Sequence, residues 1–318
     1  MTDVWAQVRR ARLDLLIAGF VAVVFTYVLR AYRWQFLLQP IGPTRFRTAF
    51  RTTVIGFAAL AVLPARAGDV LRPYLLARQE GLSTSATLAT IVMERVLDLI
   101  AVLALLALYV WGLADPANLP SSLIRPIEVS SALAGVAALV LMVLMWVLAT
   151  HPERIGRLVF RSARVLPHAM ADRLAGLART FSSGFAVARE PRALGSALVW
   201  SFPLWIAIAG EAWLVTTAFG IDMPFAGTFL LQALLVIGVA VPTPGGVGSY
   251  HEAYRVGVTT FFGAPDDAAV AAAIVTHAIS YIPVVLVGVI FMVQDGLSVG
   301  RLTALANAAP EKEMHAHP

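Results

Sequence analysis

Two apolar runs in this chain are broken by residues that stop a helix: Pro64-Ala65-Arg66-Ala67-Gly68-Asp69 toward the start, and Pro242-Thr243-Pro244-Gly245-Gly246-Val247-Gly248 toward the end. Proline has no amide donor and clashes with the preceding turn, so neither run continues as a regular helix. Backbone that leaves the helix at membrane depth must find its hydrogen bonds inside the protein or in a water-filled cavity. A corresponding pair of such breaks is what transporters use to build a substrate site.

The membrane setting follows from composition. With 59% hydrophobic residues, 14% charged and apolar runs near bilayer length, the chain is read as all-α, a polytopic helical membrane protein, and a soluble globular reading is rejected. The run Leu13 to Leu29 follows Arg9, Arg10 and Arg12 like a secretory signal, but it lacks a small-residue cleavage site and continues through Arg30 to Leu38, so it is a retained first helix. Without cysteine there is no disulfide framework and no thiol nucleophile.

Arginine placement sets the expected topology. The segment 151–192 carries Arg154, Arg157, Arg161, Arg164, Arg173, Arg179, Arg189 and Arg192 against Glu153, Asp172 and Glu190, which places it in the cytoplasm. The three- and four-residue spacing of Arg154, Arg157, Arg161 and Arg164 suits a helix lying on anionic lipid, not a nucleic-acid surface. Counting outward gives about eight membrane segments: 13–38, 46–63, 85–111, 128–150, 194–219, 226–241, 248–262 and 269–293. Both termini are then cytoplasmic, and the chain divides into an N-terminal half 1–150, an amphipathic linker 151–192, a C-terminal half 193–295 and a tail 296–318, with two-half pseudo-symmetry expected. One conflict stands out: Arg45, Arg47 and Arg51 fall on the outer side, against the charge rule, unless the second span is a re-entrant hairpin. The segments around Val241 are likewise short enough to form a hairpin whose tip reaches into the membrane.

Candidate site residues cluster at the breaks and in the third span. Arg66, Asp69 and Arg72 recur three residues apart, so on a restarted helix Arg66 and Arg72 bracket Asp69 and resemble a phosphate clamp; a charged cytoplasmic loop is the alternative. Glu94, Arg95 and Asp98 lie inside an apolar helix, where each charge costs at least ~2.5 kcal/mol to insert, so they must face the bundle interior and pair. Gly245, Gly246 and Gly248, ahead of a helix beginning near Ser249, offer amides and a helix dipole to an anion; a tight turn explains the same residues. Arg30, Arg33 and Trp34 read as an interface anchor or as headgroup contacts. Glu211, Glu252, Arg255 and His277 are weaker candidates, each a lone polar residue suited either to proton carriage or to an interhelical hydrogen bond. No Walker loop, G-x-S-x-G or H-E-x-x-H is present, the His151 and His168 pair has no metal-ligand spacing, and no cofactor is expected.

Taken together, Arg30-Ala31-Tyr32-Arg33-Trp34, Pro64 to Arg72, Glu94-Arg95-Val96-Leu97-Asp98 and Pro242 to Gly248 resemble the lysylphosphatidylglycerol synthase transmembrane-domain family, over nearly the whole chain. Members include the flippase half of the bacterial multiple peptide resistance factor. The resemblance implies a lipid flippase fold in a bacterial inner membrane, with re-entrant helices around a central polar cavity. The chain ends 25 residues after its last expected span, so no soluble aminoacyl-transferase domain and no lipid synthesis are expected. In the family a glutamate follows the glycine tip, sometimes one position earlier than Glu252, where this chain has His251.

The expectation is thus a translocase, not an enzyme, for a phosphate-bearing phospholipid, glycolipid or polyprenyl-phosphate lipid. Arg66 and Arg72 would contact phosphate, Asp69 would orient them, Glu94, Arg95 and Asp98 would line the path, and the glycine tip would close it. A homodimer is compatible with this reading. The alternatives are a membrane-embedded transferase with Asp69 or Glu94 as general base and a divalent ion on Asp98, against which the interleaved arginines speak, and a non-catalytic partner of a lipid-modifying enzyme.

Overall fold

The computed structural model describes residues 2–63, 67–113, 190–241 and 243–296, with scattered helical positions between 125 and 143. The expected span 128–150, the linker 151–189 and the tail 297–318 therefore lie largely or wholly outside the described residues, as do Pro64, Ala65 and Arg66.

Helices account for most of the described residues, and none of these residues forms a strand. A short helix α1 (Thr2–Arg10) precedes α2 (Leu13–Leu38), α3 (Phe46–Val62), α4 (Gly68–Glu80) and α5 (Thr84–Leu108), which runs on through a π-helical turn to Leu113. After the linker come α6 (Pro191–Ala218), α7 (Gly227–Ala240), α8 (Ser249–Phe262) and α9 (Asp266–Gln294). Among the described residues, only α2, α5, α6 and α9 combine the length and apolar composition needed to cross a bilayer. The arms α3, α4, α7 and α8 have 17, 13, 14 and 14 residues, roughly 20–26 Å at ~1.5 Å per residue, short of the ~30 Å hydrocarbon core.

Those arms are hairpins. On one face, the end of α2 meets the base of the α3/α4 hairpin and the starts of α5 and α6: Leu38, Ala49, Leu76, Ile91 and Ala197 share one apolar cluster, and the Arg45 guanidinium bonds Glu80 at 3.1 Å across the hairpin base. On the other face, the start of α2 meets the end of α6, where the Arg12 amide donates to the Ala218 carbonyl at 3.0 Å, and Phe219, Met223, Val258 and Ala268 pack together beside Val4 and Val8 of α1. The α3/α4 hairpin therefore enters and leaves at the first face, and the α7/α8 hairpin at the second. Their tips meet inside the protein, where a Cβ built on Gly245 would lie 3.4 Å from the Ala61 carbonyl oxygen.

The order long helix, hairpin, long helix thus occurs twice, with the two hairpins inserted from opposite faces. The halves interlock. Antiparallel α2 and α6 touch from Gly19 against Val215 to Arg33 against Ser201, and α9 runs along α3 with Gly288 pressed on Ala58 and Arg51 paired with Asp295 at 2.6 Å. Small residues allow these close backbone approaches, as membrane helices require when lipid offers no hydrophobic drive to associate.

Of the alternatives open in the sequence, the hairpin is the one found: segments 46–63, 226–241 and 248–262 are hairpin arms, because each is paired with a neighbour of similar length that returns to the face it entered from. The described ends of the chain lie at opposite ends of the bundle, α1 beside the end of α6 and Asp295 beside Arg51 of α3. The same geometry gathers Arg45, Arg47, Arg51, Arg78 and Arg192 on the face where the linker enters α6.

Candidate functional site

The ionisable residues of α5 sit one helical turn apart, and α2, α4 and α6 close around them. Glu94 is fully buried and receives Arg72 from α4 at 2.9 Å, with the Arg33 guanidinium from α2 at 3.4 Å. Asp98 takes Arg33 Nη1 at 2.6 Å and the Trp205 indole N–H at 3.0 Å, while Ser201 accepts from the same Arg33 nitrogen at 2.9 Å. Arg95 reaches Asp69 at 3.3 Å, Asp98 at 3.5 Å and Glu94 at 3.8 Å. Arg72 lies 3.9 Å over the Trp34 ring, whose indole N–H donates to Thr90. Three arginines thus face three carboxylates, as burial of charge demands.

The match is incomplete at the level of atoms. Among the described residues, Arg33 Nε and Nη2, Arg72 Nε and Nη2, Arg95 Nε and Glu94 Oε2 are buried without a hydrogen-bond partner. Each such orphan costs ~1–3 kcal/mol, so the cluster holds donors in reserve.

Beside the cluster is a cavity of about 390 Å³. Arg30, Arg95, Asp98 and Trp205 form one end, and Glu211, Tyr250 and Ser280 reach it elsewhere along an apolar wall from α5, α6 and α7. Arg30 stacks 4.8 Å over Phe57 and has no carboxylate within 4.0 Å among the described residues. It is the cation of this cavity that no acid neutralises directly. Trp205 and Glu211 are six residues apart on α6, so the cavity extends about 9 Å along that helix.

The sequence-level site residues fall into three groups. Arg33, Asp69, Arg72, Glu94, Arg95 and Asp98 come together, and Arg30 lines the cavity beside Arg95 and Asp98. The expected pairing of Arg72 with Asp69 is replaced: Arg72 bonds Glu94, and Asp69 bonds Arg95, because α4 turns Arg72 into the core against Trp34. Arg33 and Trp34 are likewise fully buried, which rules them out as an interface anchor. Arg66 lies outside the described residues.

The second group is the glycine tip. Gly245, Gly246 and Gly248 adopt positive φ of 60°, 73° and 91°, conformations that glycine enters at little cost. The Gly246 amide donates to the Thr243 carbonyl and the Gly248 amide to His251 Nδ1, so both are taken by the turn instead of standing open to an anion. Glu252 forms the third group: its side chain is 60% exposed and bonds Arg255 at 2.6 Å on the outside of α8, away from the cavity.

Sequence reasoning missed Ser201 and Trp205, which are not ionisable and carry no spacing signal, and gave Glu211 no partner. Ser280 Oγ donates to Glu211 at 3.0 Å. His277 lies 2.9 Å from the Gly245 carbonyl oxygen and stacks against His251 and Tyr281, at the meeting point of the hairpin tips.

The family model described as lysylphosphatidylglycerol synthase TM region matches residues 1–288. The chain is 27% identical to a protein of Haloferax volcanii named glycosyltransferase AglD, over 94% of this chain and 51% of that protein, so it spans about half the length of this relative. It is 25% identical to a UPF0104 membrane protein of Methanothermobacter thermautotrophicus, over 87% of this chain and 83% of that protein.

Proposed function

This chain belongs to the lysylphosphatidylglycerol synthase TM region family, and from the cavity that its long helices form with the second hairpin we propose that it is a lipid translocase, a transporter and not an enzyme, for a phosphate-bearing lipid. The observation that carries this reading is the cavity itself: a cationic end at Arg30 and Arg95, a long apolar wall, and two re-entrant hairpins of opposite entry meeting tip to tip beside it. Irregular backbone at membrane depth is tolerated only where protein or a cavity receives it, and opposed hairpins of this kind frame substrate sites in transporters.

A headgroup phosphate takes its place on Arg30, with Arg95 beside it, while the acyl or polyprenyl tails remain against apolar surface. The buried cluster behind them fixes the position of Arg95 and supplies unspent guanidinium donors. The face carrying Arg45, Arg47, Arg51, Arg78 and Arg192 is cytoplasmic, because the arginine-rich linker leads into α6 there. The start of α2, with Arg12, is then on the outer face, in a cell membrane of the bacterial inner-membrane type. The similarity to AglD over half its length favours a second reading, in which the domain serves a lipid-modifying enzyme as a partner.

Reconstitution separates the two. In proteoliposomes holding tail-labelled phosphatidylglycerol, wild type is expected to move the lipid between leaflets, and Arg30→Gln, which breaks no ion pair among the described residues, to slow it about tenfold, the worth of one charge-assisted contact of ~1.4 kcal/mol. A wild type that moves neither phosphatidylglycerol nor a polyprenyl-phosphate lipid sinks the translocase and leaves the partner reading.

A further inference from the structure

We propose that Glu211 is a proton-binding site that loads together with the anionic headgroup, so that lipid movement is coupled to protons; the inference rests on the translocase reading. Glu211 is 4% exposed on a membrane-spanning helix, and no arginine, lysine or histidine lies within 4.0 Å of it among the described residues. One of its oxygens is held by Ser280, and the residue lines the same cavity as Arg30.

Charge balance assigns the proton. Arg30 and Glu211 both line this cavity, and neither has a direct counter-ion among the described residues. Once a monoanionic phosphodiester occupies Arg30, a carboxylate at Glu211 would be an uncompensated negative charge in a space of low dielectric, which is expensive. The lipid is therefore carried with Glu211 as the protonated acid, bonded to Ser280. When the lipid leaves, Arg30 is freed to favour the carboxylate again, so the proton leaves with it.

The surroundings suit proton exchange. From α2, Tyr27 and Arg30 face Glu211, and the Tyr27 hydroxyl donates to the Ser280 carbonyl. From α8, Tyr250 and Tyr254 approach it; α7 contributes no ionisable group, and Arg95 and Asp98 of α5 occupy the cationic end of the cavity. From α9, His277 lies one turn before Ser280 and contacts Tyr250 and His251 at the hairpin tip, so titratable rings extend from the carboxyl to the place where the two hairpins meet.

The test uses wild-type proteoliposomes with tail-labelled phosphatidylglycerol, a pH-sensitive dye trapped inside and an imposed pH gradient. Wild type is expected to move the lipid severalfold faster when the lipid's starting side is acid, with proton entry recorded by the dye. Glu211→Gln should move it at one rate whatever the gradient, with no lipid-linked proton signal, and Ser280→Ala, which keeps the carboxyl, should shift the pH midpoint. Lipid movement by wild type that ignores the gradient overturns the coupling and leaves the translocase standing. A Glu211→Gln change that instead alters the preference between phosphatidylethanolamine and phosphatidylglycerol, with the gradient response intact, makes Glu211 an amine contact and likewise overturns it. No movement of either lipid by wild type removes both readings.

Discussion

The two hairpins solve the same problem, a helix reversal inside a membrane protein, with opposite placement of charge. In the first, α3/α4, Arg72 points inward and is locked between Glu94 of α5 and the Trp34 ring of α2. In the second, α7/α8, the charges point outward: Arg255 bonds Glu252 and Asp266 at the surface, while the inner faces meet through glycines at 238 and 257. The tip of the second is a turn closed by its own backbone, by Thr243 against Ser249 and by His251. The first hairpin is therefore fixed by ion pairs buried in the bundle interior, and the second by close packing, hydrogen bonds and ion pairs at its surface.

The largest test of that contrast is Glu94→Ala. It removes the carboxylate shared by Arg33, Arg72 and Arg95, and Arg72 then has no acid within 4.0 Å among the described residues. Breaking a buried pair on one side costs about 3–5 kcal/mol, so the detergent-purified variant is expected to lose most of its thermal stability or fail to accumulate. A variant that melts with the wild type breaks the comparison.

Next in size is a pair of glycine substitutions. A Cβ on Gly68 would lie 2.1 Å from the Gly56 carbonyl oxygen and 2.7 Å from the Leu60 backbone nitrogen, so two backbones must separate. A Cβ on Gly238 would lie 2.7 Å from Ala253 Cβ and 2.9 Å from the Ser249 oxygen. Gly68→Ala should cost about 3 kcal/mol and Gly238→Ala about 1–2 kcal/mol by thermal melting, because the first hairpin is tied at Arg72 and cannot shift to make room. The reverse order would show the second hairpin to be the more rigid.

Much of this was legible in the sequence. The long helices follow from apolar runs, and the positions of both tips from Pro64 and Gly68 and from the Pro242 to Gly248 stretch. What sequence alone left out is pairing across long separations. Seventeen residues from Phe46 to Val62 are nearly enough to cross a bilayer, and only their packing on α4 marks them as one arm of a hairpin. Arg33 sits 65 residues from Asp98, and nothing local announces that pair. Helix α1 was overlooked because nine residues make a weak signal, although Val4 and Val8 on one face foreshadow its docking. Arg72 bonds Glu94 and not its helical neighbour Asp69 for a related reason: a shared helical face brings residues near one another, while tertiary partners decide which of them bond.

The smallest expected effect is also the sharpest control. A neutral hydrogen bond lies beside or within each hairpin's packing: Trp34 of α2 to Thr90 of α5, under Arg72, for the first, and Tyr254 of α8 to Thr216 of α6 for the second. Trp34→Phe and Tyr254→Phe each delete one such bond and keep an aromatic ring, so each should cost about 1 kcal/mol in melting experiments. If the hairpins differ only in their ionic anchoring, the two losses should agree within about 0.5 kcal/mol. A larger loss for Trp34→Phe would mean that the weaker phenyl face holds Arg72 less well, placing part of the first hairpin's rigidity in the cation–π contact at 3.9 Å and not in the carboxylate alone. A larger loss for Tyr254→Phe would put more of the second hairpin's stability in a single bond than its packing suggests, and the contrast between the two would narrow.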